Sequence, residues 1–343
     1  TTNTWLFHDL LEPYVHSVTV AHPPHVALIS RVRVKTDNKA ALILAQLLAV
    51  GLIESVWVPP VEVRELRALI AQRTKMVCLA TQAKNRLHAV LHRIGIARPE
   101  GKSPFSPENR AWWEDLPLTK RERFRIQSDL DTLSFAVSEA ERIEDFLAEE
   151  SVNDDRVPLL VHLPGIGLLT AMTILAAVGT IERFENASKL VGYAGLGAAV
   201  FDSGGKHTTG RITKMGRKDL RGAMVDAAHV AARHHPKWRT EFRRLEYRIG
   251  RNKAFVAIAR KLLVVVFHVL SKVEADRFAQ PERVARSLFN HVYHRIGVSR
   301  LPEGMSAKQY VRYHLDQLEI GDRIQEVSWG TRVIKLPPSE IGG

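Results

Sequence analysis

The sequence predicts a mainly helical chain with a small α/β block at its N-terminal end. Apolar residues recur at helical spacing along most of the chain, one short segment near the start alternates like a strand, and Gly/Pro-containing stretches separate the helical parts. With 343 residues, the chain is long enough for two or three domains. We expect four parts, residues 1–60, 61–155, 156–273 and 274–343.

The N-terminal block combines two predicted helices with one predicted strand. A helix is expected over Thr4–Glu12, an alternating strand over His16–Val20, and a second helix over Thr36–Leu52 with Thr36 or Asp37 as its N-cap. The second helix has a predicted apolar stripe, formed by Leu42, Ala45, Leu48 and Ala49. One strand and two helices cannot form a stable α/β layer alone, so the block has the character of the back half of a domain whose front half is absent.

Two long amphipathic segments follow. Both are predicted to be helical, over Val61–Arg93 and Thr119–Glu149. The loop between them indicates an antiparallel hairpin or coiled coil, which would serve as a spacer or dimerisation arm.

The next domain begins with a helix, a Pro-Gly turn and a helix. Three more helices are expected at about 217–234, 238–248 and 253–273, and the remaining residues show no clear pattern.

Cysteine content and hydropathy restrict the class of protein. Cys78 is the one cysteine, so an intramolecular disulfide is impossible and a reducing cytoplasm fits. The longest apolar run, Leu262–Leu270, is shorter than the roughly 20 residues that span a bilayer, and no signal peptide is visible. We therefore expect no membrane partner.

The net charge of +12 is concentrated in one part of the sequence. Residues 203–261 contain 16 Lys and Arg against 4 Asp and Glu, whereas the remainder contains 33 of each. A basic block is either a solvated face or a site for a polyanion. Its concentration in one short segment favours nucleic acid.

A glycine-rich turn precedes this basic block. In LPGIGLLTA, Gly165 and Gly167 permit the tight turn of a helix-hairpin-helix element, in which N–H groups at the start of the next helix face a DNA phosphate. An ordinary turn between packed helices has the same pattern, so both interpretations stay open.

The segment DSGGKHTTG places a serine beside two glycines and a run of cations. It matches neither a phosphate-binding P-loop nor a nucleophile elbow. A serine that attacks a phosphodiester needs an accessible hydroxyl, a backbone that can approach the DNA, and nearby cations. Ser203 meets these needs; the alternative is a turn in which its hydroxyl only makes a local hydrogen bond. The candidate DNA-binding cations are Lys206, Arg211, Lys214, Arg217, Lys218 and Arg221.

Three of these cations, Arg217, Lys218 and Arg221, lie at a predicted helix start, where they oppose the helix dipole by a few tenths of a kcal/mol. A bound polyanion would offset that cost.

Asp37 also precedes an apolar helix. A Mg²⁺ site would need a second acid three residues on, where Ala40 stands, so Asp37 alone is better suited to capping.

Four motifs occur in an order that resembles one known family. They are LPGIG, KLVGYAGL, SGGK followed by GRITKMG, and KAFVAIARKLL; near the N-terminus, KTDNKAALILAQLL also matches. The chain is similar to the transposases of insertion-sequence family 110, which are DEDD transposases related to Piv-type DNA invertases. Some of them are guided by a bridge RNA.

The resemblance implies a partial RuvC-like (RNase H-like) domain, a long helical hairpin, and a mostly α C-terminal domain with a helix-hairpin-helix-like element. It implies DNA transposition through a serine nucleophile, here Ser203, assisted by four acids that bind Mg²⁺, of which Asp37 is the third. The implied partners are DNA, in some members a guide RNA, and further copies in a dimer or tetramer. The implied location is the bacterial cytoplasm, at the nucleoid.

The sequence departs from the family pattern in its metal ligands. Ala40 replaces the fourth acid, the first two acids have no counterpart, and Gly197-Ala198 stands where a residue followed by Pro is common. We therefore expect a chain that binds nucleic acid but is impaired in catalysis. The alternative is a non-catalytic nucleic-acid-binding protein.

Overall fold

The computed structural model describes residues 3–23, 26, 36–99, 103–203, 206–302 and 304–341, with backbone alone at 107, 200–203, 206–209 and 211. The chain divides into two compact units, Thr1–Arg64 and Glu65–Gly343. The expectation of a mainly helical chain is confirmed, because the strands described form only two antiparallel pairs. The finer division into four parts stays a prediction.

The first unit contains the predicted helices α1 (Thr4–Leu11) and α2 (Asp37–Ala49). The predicted strand at His16–Val20 is wrong. Among the described residues of this unit, β pairing is limited to an isolated bridge between Ala21 and Ser55. An alternating segment becomes a strand only beside a partner strand, and none is described there.

The start and the apolar stripe of α2 differ from the sequence prediction. Thr36 is the N-cap and accepts a hydrogen bond from the Lys39 N–H, so Asp37 is the first helical residue and not the cap. Leu42 and Leu48 are 60% and 52% exposed. The apolar face of α2 is therefore left uncovered by the described residues.

The predicted helical arm is an antiparallel hairpin. Its helices are α3 (Val61–Ile94) and α5 (Lys120–Ser151), and the short α4 (Arg110–Glu114) lies in the connection. Three ion pairs between α3 and α5 fix the register, because residues late in α3 pair with residues early in α5. They are Arg73–Glu144 (2.6 Å), Arg86–Asp129 (2.6 Å) and Arg93–Glu122 (3.3 Å).

A small apolar core fills the distal part of the arm. Leu87 and Leu91 of α3 pack with Leu130 and Leu133 of α5, and Trp113 closes the end. A buried indole N–H needs an acceptor. Here the Trp113 N–H donates to the Pro104 carbonyl at 2.7 Å.

Past the arm, helices enclose a larger core, and one β-hairpin interrupts them. The elements are α6 (Arg156–Val161), α7 (Leu168–Val178), α8 (Ala187–Tyr193), β1 (Ala198–Ser203), β2 (Lys206–Ile212), α9 (Lys218–His234), α10 (Pro236–Ile249) and α11 (Arg251–Lys272). The C-terminal residues, patternless in sequence, form α12 (Pro281–His291), α13 (Ala307–Gln317), β3 (Glu326–Trp329) and β4 (Arg332–Lys335), which join the same core.

The helix α11 is the centre of this core. Its buried face, which includes Ala254, Ile258, Leu262 and Val266, packs against α8, α9 and α10. By length and composition α11 could also cross a membrane, but half of its most apolar window is buried in the protein. That burial is typical of a core helix.

Arginines satisfy the carbonyls at the C-terminal end of α7. Arg67 of α3 donates to Ala176 O (2.6 Å) and Ala177 O (2.9 Å), and Arg183 donates to Val178 O (2.7 Å). The last carbonyls of a helix have no intrahelical partner and carry partial negative charge. Arg67 thereby joins the arm to the C-terminal core.

Three buried histidines make stability depend on pH. Burial lowers the pKa of His162 and His291 to about 4 and that of His314 to about 3. Since an unfolded histidine titrates near 6.5, the unfolded chain binds more protons between pH 6.5 and 4. Their contribution to stability is complete above pH 6.5 and is lost on acidification.

We expect the free energy of unfolding in urea to fall by up to about 2 kcal/mol per histidine between pH 7.5 and 5. Equal values at both pH values would contradict this.

Candidate nucleic-acid interface

The candidate serine lies at the end of a β-hairpin that was not predicted. Ser203 is the last residue of β1 and pairs with Lys206, the first of β2; Gly204 and Gly205 lie outside the described residues. A two-residue glycine connection between β-forming runs is a hairpin signal. The side chains of Ser203, Lys206 and Arg211 also lie outside the described atoms, so their predicted roles are not tested.

Two of the sequence motifs interlock at the base of this hairpin. The turn before α9 crosses the end of α8 so closely that a Cβ on Gly216, where φ is +144°, would come 2.3 Å from Tyr193 O. The Arg217 N–H donates to that same carbonyl at 2.9 Å. KLVGYAGL and GRITKMG therefore form one packed unit that supports the hairpin.

The cations at the start of α9 have different roles. The Arg217 guanidinium pairs with Asp219, which also accepts from the Leu220 N–H, and despite partial burial these contacts lower the pKa of Asp219. Arg221 donates to Ala194 O at 2.9 Å. Arg217 and Arg221 thus have structural partners, and Asp219 offsets part of the dipole cost that the sequence suggested. Among the described residues, Lys218 is exposed and has no ion-pair partner.

The LPGIG turn packs against α9, away from its basic start. A Cβ on Gly165, where φ is +87°, would come 2.2 Å from Ala227 O, whereas Gly167 has open space around it. Both glycines line a cavity of about 900 Å³. Ala227 is nine residues beyond Lys218, or roughly 14 Å along the helix. The turn therefore contacts α9 roughly 14 Å along the helix from Lys218, not at the basic start of the helix.

A larger groove lies between α10, α11 and the base of the hairpin, with a cavity of about 1560 Å³. Its floor is apolar and includes Ile212, Val256 and Val264. Its sides carry one acid, Glu241, and seven cations. The cations are Lys214, Lys237, Arg244, Lys253, Arg260, Lys261 and Arg277. We call this the α10–α11 groove.

Glu241 organises part of this charge without cancelling it. It accepts from Arg244 (2.8 and 3.0 Å) and from Lys261, and these hydrogen bonds lower its pKa to about 2. Within the described part of the chain, Lys214, Lys253 and Arg260 have no carboxylate partner. These three ammonium and guanidinium groups are free to contact phosphate.

Most groove cations were missed by the sequence prediction, which stopped at Arg221. The sequence signal that could have identified them is the helical spacing of the basic residues on α11. Lys253, Arg260 and Lys261 recur with Val256 and Val264 at helical spacing along the one face opposite its buried residues. The far end of the basic block, up to Lys261, therefore lies on α11.

Comparison with known sequences identifies the family. Residues 157–243 match the profile described as Transposase IS116/IS110/IS902 family, and residues 2–96 match a profile of IS110 DEDD type described as Transposase. The chain belongs to the IS110 family of transposases. The first profile covers the LPGIG turn, the hairpin, α9 and half of α10.

Relatives of this IS110-family chain come from several bacteria. The transposase for insertion sequence element IS1111A of Coxiella burnetii is 26% identical over 71% of this chain and 68% of its own length. The pilin gene-inverting protein of Moraxella lacunata is 25% identical over 74% and 73%. The transposase for insertion sequence element IS1328 of Yersinia enterocolitica is 29% identical over 54% and 52%.

The described residues of this IS110-family chain do not fit a Mg²⁺ site. Asp37 is exposed and has Ala40 one turn later. His8, Asp9 and Glu12 form the one described group with metal-ligand spacing. However, both Asp9 oxygens accept from Arg64 (2.8 and 3.1 Å), which lowers the pKa of Asp9. A guanidinium therefore holds the carboxylate that a metal would need.

Proposed function

We propose that this chain binds DNA in the α10–α11 groove and belongs to a transposition machinery that uses Ser203 as nucleophile. The observation that carries the proposal is the groove, with seven cations against one acid beside the base of the hairpin that ends in Ser203. A lining with such an excess of cations suits a polyanion with regularly spaced phosphates. The IS110 family supports DNA as that polyanion.

The proposed chemistry is transesterification. The Ser203 Oγ attacks the phosphorus of a DNA phosphodiester, and the Oγ–P bond forms while the bond to the leaving deoxyribose oxygen breaks. The serine proton passes to that leaving oxygen. A hydroxyl at another DNA end then attacks the phosphoserine, which restores the serine and rejoins DNA without an external energy source.

In this proposal the step takes place beyond the groove, at the end of the hairpin. Gly210 lines the groove and lies four residues from Lys206, which pairs with Ser203. At about 3.3 Å per residue, the hairpin end lies roughly 13 Å further along the strand. DNA held in the groove would therefore extend along the hairpin to reach the serine.

A second candidate function is DNA binding without strand cleavage. Ala40 and the Asp9–Arg64 pair leave the described part of the chain without a fitting Mg²⁺ site. We propose that metal-dependent strand exchange by this chain is impaired. Rapid Mg²⁺-dependent strand exchange by the unaltered chain would contradict the impairment.

Covalent trapping tests the serine. If this chain or its Ala40→Asp variant forms a protein–DNA adduct on a suicide DNA substrate, we expect Ser203→Ala to abolish that adduct. Thr213→Ala, which removes an exposed hydroxyl just past β2, should leave the adduct intact. An adduct that survives Ser203→Ala would exclude Ser203. If neither chain forms an adduct, the non-catalytic function is favoured.

A further inference from the structure

A short segment between α11 and α12 contributes to the lining of the α10–α11 groove. We call residues 274–280 the strap. Arg277 of the strap and Lys237, near the start of α10, line both the groove and a second cavity of about 440 Å³. The Asp276 N–H donates to Nε2 of the buried His162 at 3.2 Å. This hydrogen bond fixes the strap to the C-terminal core beside one end of the groove.

One aromatic ring of the strap contacts both of these cations. The Lys237 Nζ lies 3.1 Å from the centre of the Phe278 ring, and the Arg277 Cζ lies 4.6 Å from it. The negative face of an aromatic ring attracts cations. Because both distances are measured to the same ring, the two charges are at most about 8 Å apart. Within the described part of the chain, neither cation forms an ion pair with a carboxylate.

Holding two cations this close together is unfavourable without an anion. Burial lowers the pKa of Lys237, and the positive charge of Arg277 lowers it further, while Asp276 offsets part of the shift. Trp238, whose ring lies 4.6 Å from the Lys237 Nζ, is 3% exposed and lines the groove. Its N–H has no acceptor among the described residues. A phosphate group supplies the negative charge and the acceptor oxygens that these side chains lack.

We infer that Phe278 is a positioning residue that holds Lys237 and Arg277 together as a phosphate subsite at one end of the α10–α11 groove. The inference rests on the proposed function, which places DNA in this groove. A free lysine or arginine side chain loses rotamer freedom when it contacts a phosphate, and that loss weakens binding. The ring restricts both side chains before DNA arrives, so less freedom is lost on binding. Phe278 itself is 39% exposed, which is more than a side chain that only fills the core would be.

Replacing the ring by an aliphatic side chain tests its role. Phe278→Leu keeps the apolar bulk but removes the face that attracts cations. We expect it to weaken binding of the full chain to duplex DNA about 5-fold at low salt, with an unchanged midpoint of unfolding in urea. Phe278→Tyr retains an aromatic face and should bind like the unaltered chain. Unchanged affinity in Phe278→Leu, or an equal loss in Phe278→Tyr, would overturn the inference.

A second test asks whether the ring acts through the two cations. Lys237→Gln with Arg277→Gln removes both charges and should make the slope of log affinity against log salt concentration shallower by about 2. In that background, Phe278→Leu should cause no further loss of affinity. In the control background, Lys308→Gln with Lys335→Gln, it should keep its full effect, because these exposed lysines do not line the groove. Equal losses in both backgrounds would show a purely structural role for the ring and overturn the inference.

A variant elsewhere in the groove separates this inference from the proposed function. Lys253 and Arg260 line the groove and are not among the cations over the Phe278 ring. If Lys253→Glu with Arg260→Glu weakens DNA binding and Phe278→Leu does not, only the role of Phe278 is wrong. If neither change affects DNA binding, the groove is not the DNA site, and both the proposed function and this inference fail.

Discussion

Reversing two charges in the α10–α11 groove, with Lys253→Glu and Arg260→Glu together, will weaken binding to duplex DNA about 100-fold at low salt. Both side chains line the groove, and neither has a carboxylate partner among the described residues. Each contributes a phosphate contact that the substitution turns into repulsion. The slope of log affinity against log salt concentration should also become shallower by about 2, as expected when two phosphate contacts are lost. Fluorescence anisotropy at several salt concentrations measures both quantities.

The matched control has the same change in net charge elsewhere on the surface. Lys308→Glu with Lys335→Glu alters two exposed lysines, at the start of α13 and the end of β4, that do not line the groove. We expect a small loss of affinity from the change in net charge and little change in the salt slope. If both pairs of substitutions weaken binding equally, the groove has no special role and the proposed function loses its main support.

Adding one methyl group at Gly165 will destabilise the protein by at least about 3 kcal/mol. The added Cβ would come 2.2 Å from the Ala227 carbonyl oxygen, which belongs to the backbone of α9 and cannot rotate away. The positive φ of +87° adds strain for any residue other than glycine. Chemical denaturation of Gly165→Ala should show a lower midpoint with a similar slope.

Gly167→Ala is the control, in the same motif and two residues away. Its Cβ would meet no atom within 4 Å. We expect less than about 1 kcal/mol of destabilisation, the range for replacing a glycine N-cap by alanine. If Gly167→Ala instead impairs DNA binding at unchanged stability, the helix-hairpin-helix interpretation is supported. If both variants are equally stable, the close packing of the turn on α9 is wrong.

The sequence was sufficient for elements whose pattern is local and repeated. The arm helices have apolar residues at helical spacing over more than thirty positions, and α11 keeps the same spacing over 22 residues. The prediction of a strand at His16–Val20 was wrong because an alternating segment of five residues forms a strand only beside a partner strand. The described residues provide no such partner. The β-hairpin was missed because Gly204-Gly205 was interpreted as a flexible turn rather than as a two-residue connection.

For the candidate site, sequence reasoning found the basic block but assigned its members incompletely. Arg217 and Arg221 were selected for their place at a helix start, and their guanidinium groups bind Asp219 and a backbone carbonyl. Which cations are free depends on contacts between distant segments, such as Arg221 with Ala194, 27 residues apart. Lys253 and Arg260 become candidates only when α11 is placed beside α10 and the hairpin.

The anchoring of Arg67 has a mechanical consequence. Its bonds to Ala176 and Ala177 fix the base of α3 to the C-terminal core, whereas the other end of the arm has its own separate core. From Arg67 to Ile94 the helix is about 40 Å long. A rotation of α3 by about 10° around Arg67 would move the far end of the arm by roughly 7 Å. The arm is thus a lever, and small rearrangements around α7 would be amplified into large displacements at its far end.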